Sequence, residues 1–146
     1  MKLITAYVDF ISPYAYLAFE ALPAALRGLP AQVRYRPVLF AGLLKHHGQL
    51  GPAEIPAKRE WTYRQVLWLA QQHGIALDLP QSHPFNPLGL LRLSLACEAE
   101  SAATGDVSRT VCERLFRHAW RGGAAADDPQ RIAALDASLR PARSPQ

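Results

Sequence analysis

Cysteine is scarce in this chain of 146 residues: only Cys97 and Cys112 occur, far apart and with no CxxC pair. That excludes a disulfide framework and a cysteine zinc site, and it fits a reducing compartment. Long apolar runs are also missing. None approaches the roughly 20 residues needed to span a bilayer, so no membrane partner is expected. Nothing at the start resembles a leader, because Lys2 is the only early positive charge and Asp9 interrupts the short apolar run behind it. A cytoplasmic location is therefore expected. Blocks of like charge are absent too. The net charge is +4 and the pI about 9.4, but the basic residues are scattered and no reading motif accompanies them. No nucleic-acid partner is expected. Charged residues make up only 19% of the chain against 49% hydrophobic, which excludes a disordered chain. The length suits one domain, or a domain with an insertion.

What is present reads first as a βαβ unit. Lys2–Phe10 is short, apolar and β-branched, as a buried strand would be. Ser12 and Pro13 then form a helix start, with Ser at the N-cap and Pro in the first turn. Tyr14, Leu17, Ala18, Ala21 and Leu22 follow at helical spacing, Pro23 disturbs the pattern, and Gly28 ends it. Gln32–Pro37 alternates like a second strand.

Beyond Pro37 every signal is helical. Short apolar Val38–His46 precedes a Gly/Pro loop, and Ala57–His73 carries Trp61, Val66, Leu67 and Ala70 on an amphipathic pattern. Residues 75–87 read as loop. Asn86 and Pro87 open a helix to Thr104, Asp106 caps another over Val107–Arg121, and Asp127 or Asp128 with Pro129 opens a last one to about Leu139. Two strands alone cannot hold a parallel sheet, since its faces and edges need cover. Either the helices wrap it, or another chain supplies strands, or the sequence is an incomplete copy of a larger domain.

Three segments carry candidate chemistry. Ser12 stands where a strand ends and a helix begins. The unpaired N–H groups and positive dipole end there favour an anion and lower a thiol pKa. A serine hydroxyl at that point can donate to a ligand thiolate, although the same residue type also caps helices that bind nothing. Lys45, Lys58 and Arg59 flank a polar loop that could hold carboxylates or simply be solvated. His46 and His47 face different ways on a helix and have no carboxylate at ligand spacing, so no metal is expected. In Ser82–Leu88, two prolines around Asn86 fix a rigid loop entering a helix. Trp61, Trp68 and Trp120 read as core or interface aromatics. His73 and His118 sit near helix C-termini, where a cation is favoured.

Taken together and in order, DFISPYAYL, RPVLFAGLLKHHGQLGPAEIPAKR and HPFNPLGLLRL, followed by the helix bearing Phe116, Trp120 and Arg121, resemble the glutathione-dependent branch of the DsbA-like thioredoxin superfamily. The likeness is to 2-hydroxychromene-2-carboxylate isomerases and, more distantly, to kappa-class glutathione transferases, over about residues 1–135. It implies an α/β thioredoxin-like (DsbA-like) fold. Residues 1–40 would be its N-terminal βαβ half, 41–139 an inserted helical domain, and 140–146 a disordered tail.

The C-terminal ββα that completes such a fold is not found after Asp128. A truncated or frameshifted chain, weakly active or inactive, is the expectation. Where disulfide oxidoreductases of the superfamily carry Cys-Pro-x-Cys, this chain has Ser12-Pro13-Tyr14-Ala15. The resemblance therefore implies an exogenous thiol, glutathione, in place of dithiol chemistry. Ser12 would hold its sulfur and act catalytically, with Gln49 and Lys58 also contacting glutathione. Tyr14, Lys45, Asn86 and Pro87 would meet an aromatic 2-oxo acid substrate. The activity implied is isomerisation in aromatic-compound degradation, by a homodimer. A kappa-like transferase and a non-catalytic dimerising or binding remnant stay open beside it.

Overall fold

The computed structural model describes residues 1–139, so the expected tail at 140–146 lies outside the described residues. The chain opens with β1 (Lys2–Val8), α1 (Pro13–Ala25) and β2 (Ala31–Pro37). β1 and β2 pair in parallel from Lys2↔Ala31 to Val8↔Pro37. Gly28 turns the chain between α1 and β2 at φ +79°, a conformation that side chains with a Cβ rarely adopt. Then come α2 (Phe40–His46), a 3₁₀ turn (Pro52–Glu54), α3 (Pro56–Gln72), α4 (Leu88–Ala96), α5 (Ala99–Thr104), α6 (Arg109–Trp120) and α7 (Pro129–Leu139).

The sheet register sorts its side chains by the two-residue period of strands. Ile4/Val33, Ala6/Tyr35 and Val8/Pro37 share one face, and Ala6, Val8, Val33 and Tyr35 join the core. On the other face Leu3 is 52% and Tyr7 61% exposed. The helices thus close one face of the sheet. The core behind it is aromatic: Phe10 meets Phe116 edge-on at 4.8 Å between ring centroids, and Phe19 lies 5.0 Å from the same ring. Trp120 is fully buried beside them.

Several sequence expectations are corrected. β1 stops at Val8, because Asp9 spends its carboxylate on turning the chain. The helix expected from Asn86 to Thr104 is two helices. Glu98 between them is extended (φ −129°, ψ 139°), its carboxylate drawn to the hydroxyls of Ser101 and Ser108 at 3.3 and 3.0 Å. Asp106 does not cap α6; Ser108 does, with its Oγ accepting from the Val111 N–H. Asp106 instead joins two arginines on the open sheet face, Arg34 at 2.9 Å and Arg36 at 2.8 Å.

On α3 the buried residues are Thr62, Val66 and Ala70. Trp61 and Trp68 are 60% and 58% exposed, and Leu67 is exposed as well, so none of these three is core. His118 is no helix-end cation, because burial pushes its pKa down while it faces the Ala126 carbonyl at 2.9 Å.

Candidate functional site

The site is built at the end of β1. Asp9 is buried, with Oδ1 accepting from the Ile11 N–H at 3.2 Å and Oδ2 from the Phe40 N–H at 2.9 Å. One carboxylate therefore ties the start of α1 to the start of α2. Burial pushes its pKa up, and the main-chain donors offset part of that rise. Asp9 also accepts the Ser12 N–H on its main-chain oxygen at 3.1 Å. That turn leaves Ser12 extended (φ −91°, ψ 117°) at the N-cap of α1, where its Oγ accepts from the Ala15 N–H at 3.1 Å. The Ser12 hydroxyl proton has no acceptor among the described residues. It is free to donate to a ligand.

Beside Ser12 lies a cavity of about 610 Å³, walled by the residues after β1, by α2, by the loop through 49–54 and by the 83–87 segment. Of the residues singled out from the sequence, Ser12, Tyr14, Lys45, Gln49 and Pro87 line it. Lys45 is the only lysine or arginine in its lining among the described residues. Glu54 is the only carboxylate there, and its Oε2 already accepts the Gly51 N–H at 2.7 Å. Tyr14, at the mouth, donates its hydroxyl to Gln65 of α3. Phe40, Leu44 and Leu50 make much of the rest of the wall apolar.

Lys58 and Asn86 are not in that lining. Lys58 is exposed in the first turn of α3. Asn86 does not cap α4, which begins at Leu88 with Pro87 at its N-cap; its Oδ1 accepts from the Leu88 N–H at 3.0 Å one residue further out, and it borders a separate groove between α4 and α7.

His83 lines the cavity and was given no role from the sequence. Its Nε2 lies 2.7 Å from the Ile11 carbonyl oxygen, which can only accept, so Nε2 carries the proton. Nδ1 is then the acceptor for the Tyr63 hydroxyl at 2.7 Å. Burial pushes the His83 pKa down, which favours this neutral ring, and it pushes the Tyr63 pKa up, which keeps that donor protonated. With both nitrogens engaged, His83 is no base for Ser12. The one sequence signal was the pair of prolines around His83-Pro84-Phe85-Asn86-Pro87, which marked a rigid loop without saying what it would hold. The His83–Pro84 peptide is cis.

Neither cysteine of the chain lines this cavity. Cys97 ends α4 and Cys112 lies in α6, both buried, and burial pushes the Cys112 thiol up to about 12. The start of α1 thus offers an anion-favouring terminus and a hydroxyl donor, with no thiol of its own. Among the described residues no group of three His, Cys, Asp or Glu side chains gathers to hold a metal, and no helix is long and apolar enough to cross a membrane.

The sequence profile of the DSBA-like thioredoxin domain matches residues 3–139. The chain belongs to that family. Curated relatives of this DSBA-like domain include glutathione S-transferase kappa 2 of Caenorhabditis elegans, 31% identical over 83 residues, covering 56% of this chain and 37% of that protein. Glutathione S-transferase kappa 1 of Rattus norvegicus is 28% identical over 80 residues, covering 55% of this chain and 35% of that protein. The 2-hydroxychromene-2-carboxylate isomerase of Pseudomonas putida is 27% identical over 128 residues, covering 86% of this chain and 59% of that protein. This DSBA-like chain therefore spans between 35% and 59% of the curated relatives it matches. A solved structure of a 2-hydroxychromene-2-carboxylate isomerase superposes with a TM-score of 0.73 at 21% identity, covering 94% of this chain and 65% of that one. The expected DsbA-like thioredoxin fold is thus the fold observed.

Proposed function

We propose that this DSBA-like chain is a glutathione-dependent isomerase of the 2-hydroxychromene-2-carboxylate type, acting on an aromatic 2-oxo acid. One observation carries the reading: the Ser12 hydroxyl, at the N-terminus of α1 and without an acceptor among the described residues, faces a cavity whose lining there holds one lysine, Lys45, and no arginine. The pattern fits glutathione, because a thiolate needs a donor and a positive field and brings the sulfur this terminus lacks. Bound there, glutathione would supply a thiolate that adds reversibly to a conjugated carbon, making the double bond a rotatable single bond before it leaves.

The chain's own residues would do the rest. Ser12 donates to the sulfur and keeps it ionised, and the N–H groups opening α1 add to the field. Gln49, which lines the cavity, would hydrogen-bond the peptide part of glutathione. Lys45 draws the substrate carboxylate, while Phe40, Leu44 and Leu50 cover its aromatic body. Lys58, outside the lining, would reach only a ligand end that projects from the mouth. Dimer formation and a cytoplasmic location belong to the same reading.

A second reading, a kappa-like transferase, is supported by the two kappa relatives. Incubation of the chain with an aromatic 2-oxo acid and glutathione separates the two by liquid chromatography with absorbance and mass detection, where an isomer shows a new retention time and spectrum. A rearranged substrate of unchanged mass supports the isomerase, and a released glutathione adduct supports the transferase. Ser12→Ala should raise the pKa of bound glutathione, read from thiolate absorbance. An unchanged thiol pKa in Ser12→Ala would remove Ser12 from the mechanism.

A further inference from the structure

We infer that His83 is a positioning residue which, together with Asp9, clamps both polar groups of the Ile11 main chain and thereby fixes the Ser12 hydroxyl against the cavity. The role given to that hydroxyl rests on the function proposed above; the clamp itself rests on geometry alone. Ile11 immediately precedes Ser12. Its N–H is held at 3.2 Å by the Asp9 carboxylate, from the end of β1. Its carbonyl is held at 2.7 Å by His83 Nε2, from a loop 72 residues further along the chain. Ile11 belongs to no helix or strand ladder, and side chains supply the partners of both its polar groups.

The ring of His83 is itself fixed from several sides. Tyr63, on α3, donates to Nδ1 at 2.7 Å and packs edge-on against the imidazole with ring centroids 5.5 Å apart. Trp120, at the end of α6, lies 5.4 Å from it, and Phe85 5.8 Å. The imidazole therefore connects α3, α6 and the turn that carries Ser12. The Ser12 N–H in turn donates to Asp9, and Ser12 Oγ accepts from Ala15. A peptide gripped at both ends leaves the serine little freedom to swing. That is what a donor aimed at one sulfur position needs, since misplacement by an ångström is costly. His83 need not touch the ligand to do this.

The test compares His83→Leu, which cannot donate, with His83→Gln, whose carboxamide N–H can replace Nε2–H. The first readout is amide hydrogen exchange at Ser12 and Ala15. In His83→Leu it should quicken about tenfold, as for loss of one buried hydrogen bond, and His83→Gln should restore it. The second readout is the thiol pKa of bound glutathione, which should rise by about one unit in His83→Leu and return in His83→Gln. Affinity for S-methylglutathione, which has no ionisable thiol, should stay within about twofold throughout. Unchanged exchange in a folded His83→Leu, or a His83→Gln that behaves like His83→Leu, would overturn the clamp. If His83→Leu does not fold, His83→Phe, which keeps an aromatic ring beside Tyr63, Phe85 and Trp120 but cannot donate to Ile11, is read in its place, and unchanged exchange there overturns it equally. If the unaltered chain binds no glutathione, the proposed function fails, while the exchange measurements still decide the role of His83.

Discussion

The indole N–H of Trp120 donates to the main-chain oxygen of Phe10 at 2.8 Å, joining residues 110 positions apart inside the core. Phe10 follows β1 and Trp120 ends α6, so one hydrogen bond locks the helical part of the chain onto the turn that leads to Ser12. Trp120→Phe keeps an aromatic ring but leaves that carbonyl unpaired and opens a void. Urea unfolding should show a loss of about 2–4 kcal/mol, with the slope unchanged. A loss below about 0.5 kcal/mol would mean the carbonyl finds another donor.

Asp9→Asn sets two effects against each other. It removes a charge that burial disfavours, but one amide oxygen cannot accept from both Ile11 and Phe40, whose N–H groups approach different oxygens. The unpaired donor should dominate, at a cost of about 1–3 kcal/mol at neutral pH. Acid should widen the gap. The folded pKa of Asp9 is raised above 3.8, so the folded state binds this proton first. Its contribution therefore grows as pH falls through the folded pKa towards 3.8, and the variant lacks it. Urea titrations of both proteins at several acidic pH values test the sign.

His83 and His118 both have pKa values lowered by burial from an ordinary 6.5. The unfolded chain takes up these protons before the folded one does. Their contribution is thus intact above pH 6.5 and is lost as pH falls from there through the folded values. Thermal melting between pH 8 and 5 should show the midpoint dropping on the acid side. In His83→Gln the drop should be shallower, and a drop as steep as in the unaltered chain would assign the effect elsewhere.

Cys112 should be inert in the folded protein. Its thiol is buried and pushed up to about 12, so almost no thiolate exists at pH 8. Iodoacetamide at that pH should label it only after urea is added. Fast labelling without denaturant would show that α6 opens locally.

The start of the fold was legible in the sequence because its signals are short-range. A β-branched run, a Ser-Pro helix start and an alternating segment each act over a few residues, and β1, α1 and β2 follow them closely. Ser12 was legible for the same reason: a cap is a bond to a residue three positions on. Lys45 was read from its loop as a possible carboxylate contact, Gln49, Tyr14 and Pro87 came from the resemblance, and the fold gathers these four at one cavity.

Competition between partners of equal local merit was not legible. Asp106 and Ser108 are both good caps, and the two arginines on the open sheet face took Asp106 away. Trp61 and Trp68 read as core or interface aromatics, and the packing of α3, which turns Thr62, Val66 and Ala70 inward, removes the core alternative. His83 lay in a loop that the prolines marked as rigid, but its role was not legible because its partners lie 20 and 72 residues away. The βαβ unit, its helix start and the serine that caps it follow from neighbouring residues alone, since capping and periodicity are short-range. Which face of α3 is buried, which acid serves which cation and what grips Ile11 are settled by packing, because a hydrogen bond between distant residues exists only once the chain has brought them together.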